Sequence, residues 1–378
     1  MDFQNCANCG ACASVCPRGA IEAEGDGLFY RPVIKTEKCV ECGLCKAVCP
    51  IHREHPTTEV KSAWWGHHKD DAVVKTSSSG GAFTALAEYV LKQNGVVFGA
   101  AYEDDCRSVS IRSTEEVPLE ALKRSKYVES QPGNAFRKVK AYLQQGRMVL
   151  VCATPCQIAG LMAFLGKPYE NLIACDFACG GLPSHKLYEQ YLTMLEKRFG
   201  GTVASVNFRP KTYGWSQYAI SISFNNGKKY VRSADRDPFF RGFIHQRINM
   251  RPYCYDCGFA EKHCADLNLA DFWKYRTLTK ERRNESGLSM ILAFTEKGKT
   301  FLETAAETMD LKDLETEVAT YNLKKKEKTQ NRMQKREQYL SICQQDGFEA
   351  GIPLLQMPAQ TWKLRVKCFV KKVMYGVK

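Results

Sequence analysis

Residues 6–17 read Cys6-Ala7-Asn8-Cys9-Gly10-Ala11-Cys12-Ala13-Ser14-Val15-Cys16-Pro17, and this stretch decides the fold of the N-terminal part of the chain. Its pattern recurs as Cys39-Val40-Glu41-Cys42-Gly43-Leu44-Cys45-Lys46-Ala47-Val48-Cys49-Pro50. Each copy has the spacing C-x2-C-x2-C-x3-C-P, by which cysteine thiolates bind 4Fe-4S clusters. The sequence therefore predicts two 4Fe-4S clusters and a role in electron transfer.

The fourth cysteine of each run is expected to ligate the other cluster, as it does in two-cluster ferredoxins. We therefore assign one cluster to Cys6, Cys9, Cys12 and Cys49, and the other to Cys39, Cys42, Cys45 and Cys16. Zinc knuckles and disulfides are the alternatives. Structural zinc sites take four ligands in two pairs, and disulfides need an oxidising compartment that nothing in the sequence indicates. The spacing favours the clusters.

Length and pattern predict three parts in this chain of 378 residues. These are a duplicated ferredoxin-like module at 1–55, a larger α/β domain at 62–275 that follows a polar linker, and a mostly helical extension at 276–378. The N-terminus lacks a basic and apolar signal segment, and no apolar run reaches the length of a membrane-spanning helix. We expect a cytoplasmic protein.

The formal net charge of +13 does not by itself indicate nucleic-acid binding. Bound clusters carry negative charge that offsets part of the excess, and no nucleic-acid-binding motif accompanies the basic residues. The positive charge is concentrated at residues 324–328 and 363–378. We interpret it as a solvated face or as a docking surface for an acidic redox partner such as ferredoxin. The segment 363–378 also mixes cations with apolar residues, which suits a membrane surface, a partner protein or a terminal helix that covers the core.

Helical and strand-like patterns alternate through the larger domain. Helices are predicted at 81–93, 134–145, 158–165 and 184–199, and strands at 95–100, 148–151 and 172–175. Residues 203–231 alternate around an Asn225-Asn226-Gly227 turn, which predicts an antiparallel hairpin. This order indicates an α/β fold with a substantial parallel sheet.

A Ser- and Gly-rich loop precedes the first of these helices. It reads Ser77-Ser78-Ser79-Gly80-Gly81. Glycines let a ligand approach the backbone, and serine hydroxyls and a helix N-terminus favour a phosphate. An ordinary Ser/Gly linker with a helix cap is the alternative.

Four further cysteines lie where strands are expected to end or in a C-x2-C pair. They are Cys156, Cys179, Cys254 and Cys257. Strand ends in open α/β sheets gather at one edge, where ligands bind, so these residues are candidates for a third metal site, with zinc still open. Competing candidates are Cys152, Cys175 and Cys264, whereas the isolated cysteines are interpreted as ordinary small side chains: Cys106, Cys343 and Cys368.

A chain of motifs over residues 1 to about 275 resembles the coenzyme F-420 hydrogenase/dehydrogenase beta-subunit family, in the form that carries an N-terminal two-cluster ferredoxin. The motifs are Ser77-Ser78-Ser79-Gly80-Gly81-Ala82-Phe83-Thr84, Gly95-Val96-Val97-Phe98-Gly99-Ala100, Ser125-Lys126-Tyr127-Val128-Glu129-Ser130, Thr154-Pro155-Cys156-Gln157-Ile158-Ala159-Gly160-Leu161, Leu182-Pro183-Ser184-His185-Lys186-Leu187 and Asp266-Leu267-Asn268-Leu269-Ala270-Asp271-Phe272-Trp273. The resemblance implies a bound FAD beside one 4Fe-4S cluster.

Carried over by position, the resemblance gives the third cluster to Cys156, Cys179, Cys254 and Cys257. It implies flavin contacts at Ser77, Ser78, Ser79, Gly80, Gly81, Thr84, Ser125, Lys126 and Tyr127. Lys126 is expected to offset pyrophosphate charge or to lie near the isoalloxazine, with a solvated lysine as the alternative.

Three positions depart from the family's motifs. Gly180 replaces the histidine of Cys-His-Gly, Ala153 replaces a glycine before Thr-Pro-Cys, and Lys274 replaces the glycine that usually follows Asp-Phe-Trp. We therefore do not assign the deazaflavin coenzyme as the partner of this chain.

The sequence as a whole predicts a flavin-dependent iron–sulfur oxidoreductase with three 4Fe-4S clusters and FAD. It is expected to connect one-electron carriers of the ferredoxin type, or another redox protein, to a small-molecule or coenzyme substrate. The alternative is an electron-transfer subunit of a larger complex with no substrate of its own. The substrate and the catalytic residues are not identified by the sequence.

Overall fold

The computed structural model describes residues 5–25, 27–55, 58–279, 284–323 and 330–356. Within these ranges the strands are β1 Ile21–Glu24, β2 Arg31–Ile34, β3 Ser62–His68, β4 Val96–Tyr102, β5 Val109–Ser113, β6 Ser130–Gln131, β7 Val149–Cys152, β8 Leu172–Phe177, β9 Val203–Asn207, β10 Ala219–Phe224, β11 Lys229–Ser233, β12 Leu267–Asp271, β13 Ser289–Ala293 and β14 Met309–Leu314.

The α-helices of the same ranges lie between and around these strands. They are α1 Ala11–Val15, α2 Leu44–Ala47, α3 Asp71–Thr76, α4 Ala82–Lys92, α5 Leu119–Leu122, α6 Ala135–Gln144, α7 Pro155–Leu165, α8 His185–Phe199, α9 Pro238–Phe240, α10 Tyr275–Thr279, α11 Glu296–Ala305, α12 Thr316–Ala319, α13 Gln330–Asp346 and α14 Phe348–Gly351. No helix of these ranges has both the length and the apolar composition that crossing a membrane requires.

The described strands include a mixed sheet of nine, in the order β14-β3-β13-β12-β8-β7-β4-β5-β6. Its centre is parallel, because β12 pairs with β8, β8 with β7, and β7 with β4 in the same direction. Parallel neighbours need crossover connections, which helices such as α7 supply. The predicted α/β fold with a parallel sheet is confirmed.

Each face of this sheet carries its own apolar core. Val149 and Val151 of β7 point to a cluster that includes α6 and α7 residues. Leu150, between them, points to the opposite cluster with α4 and α11. This division follows from the period of two in a strand, and it buries the central strands on both sides.

The segment assigned to a C-terminal extension contributes two strands to the sheet. β13 pairs with β12 and β3, and β14 pairs with β3. The sheet therefore continues beyond residue 275. These short strands lie between charged helical stretches, so pattern alone did not reveal them. The helical part of the segment is represented by α13 and α14, whereas residues 324–328 and 363–378, with Cys368, lie outside the described residues.

Capping residues and a turn motif correctly predicted the long helix α8 and the hairpin that follows it. The Ser184 side chain accepts a hydrogen bond from the Leu187 amide at 3.1 Å, and the helix ends at Gly200 in the left-handed conformation with φ 69°. The predicted hairpin is part of a three-stranded antiparallel sheet in the order β11-β10-β9.

The two cysteine runs of the N-terminal module share one backbone geometry. Asn8 and Glu41 occupy equivalent positions with φ 56° and 51°, and Gly10 and Gly43 follow with φ 80° and 74°. Each glycine precedes a short helix, α1 or α2. The repeat in spacing is therefore also a repeat in chain conformation.

Candidate functional site

The first group of cysteines consists of Cys6, Cys9, Cys12 and Cys49. Burial, and then the neighbouring thiolates of Cys6 and Cys49, raise the pKa of Cys12 to about 12. Burial, and then Cys12, Cys6 and Cys49, also raise the pKa of Cys9. Four thiolates that repel one another are stabilised by cationic irons, so the donor set fits a 4Fe-4S cluster.

The second group, as predicted from the spacing, is Cys16, Cys39, Cys42 and Cys45. Cys42 is exposed, and the apolar side chains on either side of it, Val40 and Leu44, are 58% and 42% exposed. The amide of Ala20 donates to Cys16 Sγ at 3.3 Å. Cys45 is close enough to Cys12 to raise its pKa, so this group neighbours the first.

The third group consists of Cys156, Cys179, Cys254 and Cys257, which come from three separate segments. Burial raises the pKa of Cys156, and the other three thiolates raise it further. The amides of Gly181 and Leu182 donate to Cys179 Sγ at 3.4 Å and to Cys254 Sγ at 3.3 Å. Backbone donors aimed at the sulfurs suit a cluster whose potential depends on such hydrogen bonds.

These groups differ from a site for a single ion. In the described part of the chain, no three or more His, Cys, Asp or Glu side chains form a group that could hold one metal ion. The four cysteines of a cubane each bind a different iron, so their sulfur atoms need not converge on one point.

The loop that carries Cys6 and Cys9 of the first group packs directly against the third group at the module interface. Cys156 Sγ lies 3.8 Å from the carbonyl oxygen of Ala7. Helix α7 presents Gly160 to the same place, where an added Cβ would lie 2.9 Å from Cys9 Cβ and 3.0 Å from Cys9 Sγ. Any larger side chain at residue 160 would push the two groups apart.

A buried ion pair holds the same interface together. Arg251 Nε donates to Glu129 Oε1 at 2.6 Å, and the two side chains are 3% and 0% exposed. Asn8 Nδ2 donates to the same carboxylate oxygen at 3.0 Å, and Arg251 Nη1 donates to the Cys6 carbonyl at 3.0 Å. Sequence reasoning missed this pair, because its partners are more than a hundred residues apart.

A cleft opens at the carboxyl ends of the central strands. Its walls include eight of the nine residues predicted to contact a flavin: Ser77, Ser78, Ser79, Gly81, Thr84, Ser125, Lys126 and Tyr127. Cys179 lines the same cleft together with Gly180 and Gly181. The third group of cysteines therefore borders the cleft.

The two glycines of the Ser/Gly loop differ in role. Gly81 lines the cleft and has a φ of 93°, which favours glycine. Gly80 does not line it; a Cβ there would lie 2.6 Å from the Gly66 carbonyl oxygen and 2.7 Å from the Ser289 amide nitrogen. Gly80 is thus closely packed against β3 and β13, and its contact with a flavin stays a prediction.

Two cations from the segment after β9 hold this loop in place. Arg209 donates to the Ser78 carbonyl at 3.1 Å, to Tyr127 Oη at 3.2 Å and to Asp271 Oδ2 at 3.0 Å. Its guanidinium lies 3.7 Å from the ring centroid of Tyr218. Lys211 Nζ donates to the Ser79 carbonyl at 2.7 Å, and burial followed by the nearby Arg209 charge lowers its pKa to about 7. These residues carry no motif, and sequence reasoning did not find them.

Lys126 is anchored at the wall of the cleft. Its ammonium donates to the carbonyl oxygens of Ala121 and Lys123 at 2.7 and 2.6 Å. Burial, and then the charge of Arg124, lower its pKa to about 7. The alternative of a solvated lysine does not describe this environment.

The competing cysteines do not form one group, and Cys264 packs against the same apolar cluster as Cys156, Cys254 and Cys257. Cys152 and Cys175 are opposite each other on β7 and β8. Cys264 Sγ lies 3.4 Å from His55 Nδ1, and burial raises its pKa to about 11. Cys106 and Cys343 are buried.

The departures from the family's motifs have local consequences. Gly180 lines the cleft, and a Cβ there would meet only Phe243 at 3.6 Å, so a side chain has room. Gly181 has φ 119° and lies against Met250, so glycine is required there. Lys274 does not line the cleft; its Nζ lies 4.6 Å from the ring centroid of Tyr321.

Comparisons with known proteins match two parts of the chain. Residues 146–317 match the family described as the C terminus of the coenzyme F420 hydrogenase/dehydrogenase beta subunit. Residues 5–52 match the 4Fe-4S dicluster domain. The resemblance predicted from the motifs is confirmed, although the Ser/Gly loop and residues 125–127 lie outside both ranges.

One solved structure with similarity to this chain is that of the xenon-derivatised F420-reducing NiFe hydrogenase complex from Methanosarcina barkeri. The sequence identity is 16% and the TM-score 0.46, over 72% of this chain and 92% of that chain. No curated protein matches the chain.

Proposed function

We propose that this chain, which belongs to the coenzyme F420 hydrogenase/dehydrogenase beta-subunit family and carries an N-terminal 4Fe-4S dicluster domain, is a flavin-dependent iron–sulfur oxidoreductase. It would connect a one-electron carrier to a two-electron carrier or substrate through three 4Fe-4S clusters and FAD. The observation that carries the proposal is Cys179, which belongs to the third group of cysteines and also lines the cleft.

Neighbouring contacts connect the four candidate sites one to the next. Exposed Cys42 supports a surface position for the second group, and Cys45 neighbours Cys12 of the first group. Cys156 of the third group contacts Ala7, which lies between Cys6 and Cys9 of the first group, and Cys179 borders the cleft. This order supports an electron path from the surface to the cleft, without a gap of solvent between the two innermost cysteine groups.

The cleft residues suit a flavin dinucleotide. A bound flavin exchanges two electrons with a substrate and single electrons with clusters, and the protein supplies position and electrostatics. Gly81 and the following helix α4 offer a backbone approach for phosphate. Lys123, Arg124 and Lys126 add positive charge to the wall, and Leu122 and Leu269 add apolar surface for a ring.

The composition of the anaerobically purified protein tests the proposal. We expect about one FAD and about twelve irons per chain, the latter from three clusters of four irons. The substitution Cys179→Ala should remove about four irons, whereas Cys106→Ala, a buried cysteine outside the three groups, should remove none. Wild-type protein with full iron that takes up no FAD would refute the flavoenzyme.

A second measurement separates the enzyme from a subunit that only transfers electrons. Exposed Val40 and Leu44 beside Cys42 are consistent with a protein partner in either case. Turnover by the isolated chain, with reduced viologen and a panel of two-electron acceptors, supports the enzyme. Turnover that requires a co-purifying subunit supports the electron-transfer subunit instead.

A further inference from the structure

Cys152 and Cys175 lie opposite each other on neighbouring parallel strands. They are Cα partners in the register of β7 and β8. Neighbouring strands are about 4.8 Å apart, which falls within the Cα separation of about 4.4–6.8 Å that disulfides span. Both side chains point to the α4 and α11 face of the sheet. A disulfide between them therefore requires little movement of the backbone.

The two thiols already interact. The pKa of Cys175 is raised most by its side-chain hydrogen bond with Cys152, and next by burial. Both are free thiols. Each is separated by four residues from a member of the third group, Cys156 or Cys179, and neither contributes to that group's mutual interactions. This pair is thus left without a role in the proposed clusters.

The two thiols differ in access. Cys152 lines the cleft, whereas Cys175 is fully buried. Lys126, which lines the same cleft, is close enough to Cys152 for the two charges to interact. The arrangement is that of an attacking cysteine open to the cleft and a resolving cysteine beneath it.

We propose that Cys152 and Cys175 form a redox-active dithiol of the cleft, an inference that rests on the flavin of the proposed function. On oxidation, both S–H bonds break and one S–S bond forms between Cys152 and Cys175. The two electrons and two protons released pass to the oxidised flavin held in the cleft. Reduction of the disulfide reverses each of these changes. The pair would thus store two electrons beside a cofactor that also takes two.

Differential alkylation of the holoprotein tests this inference. Anaerobic protein is mixed with excess oxidised FAD and quenched in denaturant with one thiol reagent, and disulfides are then reduced and labelled with a second reagent. We expect Cys152 and Cys175 to carry the second label in equal amounts, and cluster cysteines the first. Fragment-ion sequencing must locate the labels, because Lys167-Pro168 resists trypsin and keeps Cys152, Cys156, Cys175 and Cys179 on one peptide.

Single substitutions identify the pair. Cys152→Ala should leave Cys175 with the first label only, and Cys175→Ala should do the same for Cys152. Cys106→Ala removes a buried cysteine outside the sheet pair and should leave the labelling unchanged. The inference is overturned if both cysteines of the wild type retain the first label, or if Cys175 acquires the second label in Cys152→Ala.

The failure of the flavin proposal can be distinguished from failure of the dithiol. FAD content is measured on the same samples. If no FAD binds, the flavin proposal fails, and the azo oxidant diamide is used in its place. A disulfide between Cys152 and Cys175 in diamide-treated protein, detected as the loss of two hydrogens, would then support the dithiol. Absence of this disulfide would overturn it.

Discussion

The two cysteine runs have the same spacing and backbone geometry but opposite surroundings. Cys9 of the first run is buried, and Gly160 of the larger domain packs directly against it. Cys42, at the equivalent position of the second run, is exposed between exposed Val40 and Leu44. Identical spacing therefore occurs in two environments. Under the proposed function, the buried group suits internal transfer and the exposed group suits exchange with a partner.

Replacing one predicted cluster cysteine in either run should have the strongest effect on iron content and electron transfer. Cys9→Ala and Cys42→Ala should each lose about four irons, and each should reduce flavin reduction by a ferredoxin-type donor to background. They should differ in freeze-quench electron paramagnetic resonance. Cys9→Ala retains a cluster that the donor reduces, because its exposed group is intact, whereas Cys42→Ala retains none that the donor reaches.

Cys343→Ala is the control for this comparison, because Cys343 is buried and outside all three groups. It should keep full iron and the wild-type rate. Flavin reduction at the wild-type rate in Cys9→Ala would contradict an internal role for the first group.

The buried interface should respond strongly to loss of its charge pair. Glu129→Gln leaves Arg251 charged, buried and without a carboxylate, which costs about 3–5 kcal/mol of stability. The midpoint of chemical denaturation under anaerobic conditions measures the effect. Glu189→Gln is the matched control, because Glu189 pairs with Lys186 at the surface, where such pairs contribute about 0–1 kcal/mol. Equal midpoints for the two variants would show that the buried pair does not stabilise the interface.

Substitutions beside the exposed second group should weaken binding of a redox partner and leave the stability of the protein unchanged. Replacing both Val40 and Leu44 with serine removes apolar surface worth about 1–2 kcal/mol to a partner, so KM for a ferredoxin-type donor should rise about tenfold. Iron content should stay unchanged. Val48→Ser, at a buried residue of the same run, should instead lower iron content. An unchanged KM in the double variant would show that Val40 and Leu44 are not part of the docking site.

The weakest effect is expected at the cleft, in the pH dependence of FAD affinity. Because the pKa of Lys126 is lowered to about 7, its cationic form is present below that pH and is lost above it. Binding of an anionic FAD should therefore weaken by about three- to tenfold between pH 6 and pH 8. Fluorescence titration measures the affinity. Lys126→Met should flatten this dependence and Lys123→Met should retain it; a slope that survives in Lys126→Met would assign the proton to another group.

Much of the fold was predictable because its signals are local. Ser184 and Gly200 mark the ends of α8 through capping, and the apolar run at 148–151 marks a central strand. β13 and β14 were not predicted, since their place in the sheet depends on pairing with the distant β3. The same reason hid Arg209, whose partners Ser78, Tyr127 and Asp271 come from three other segments.

The twin cysteine runs could be recognised without a structure, because the spacing of cysteines within one loop is a local property of the chain. The sequence also brought out the Ser/Gly loop and the cysteines of the third group, through motifs. Three features became visible only in the folded chain: which run is buried, that Cys179 borders the cleft, and that Cys152 lies opposite Cys175. Burial and side-chain contact depend on segments far apart in the chain, and no spacing encodes how these segments pack.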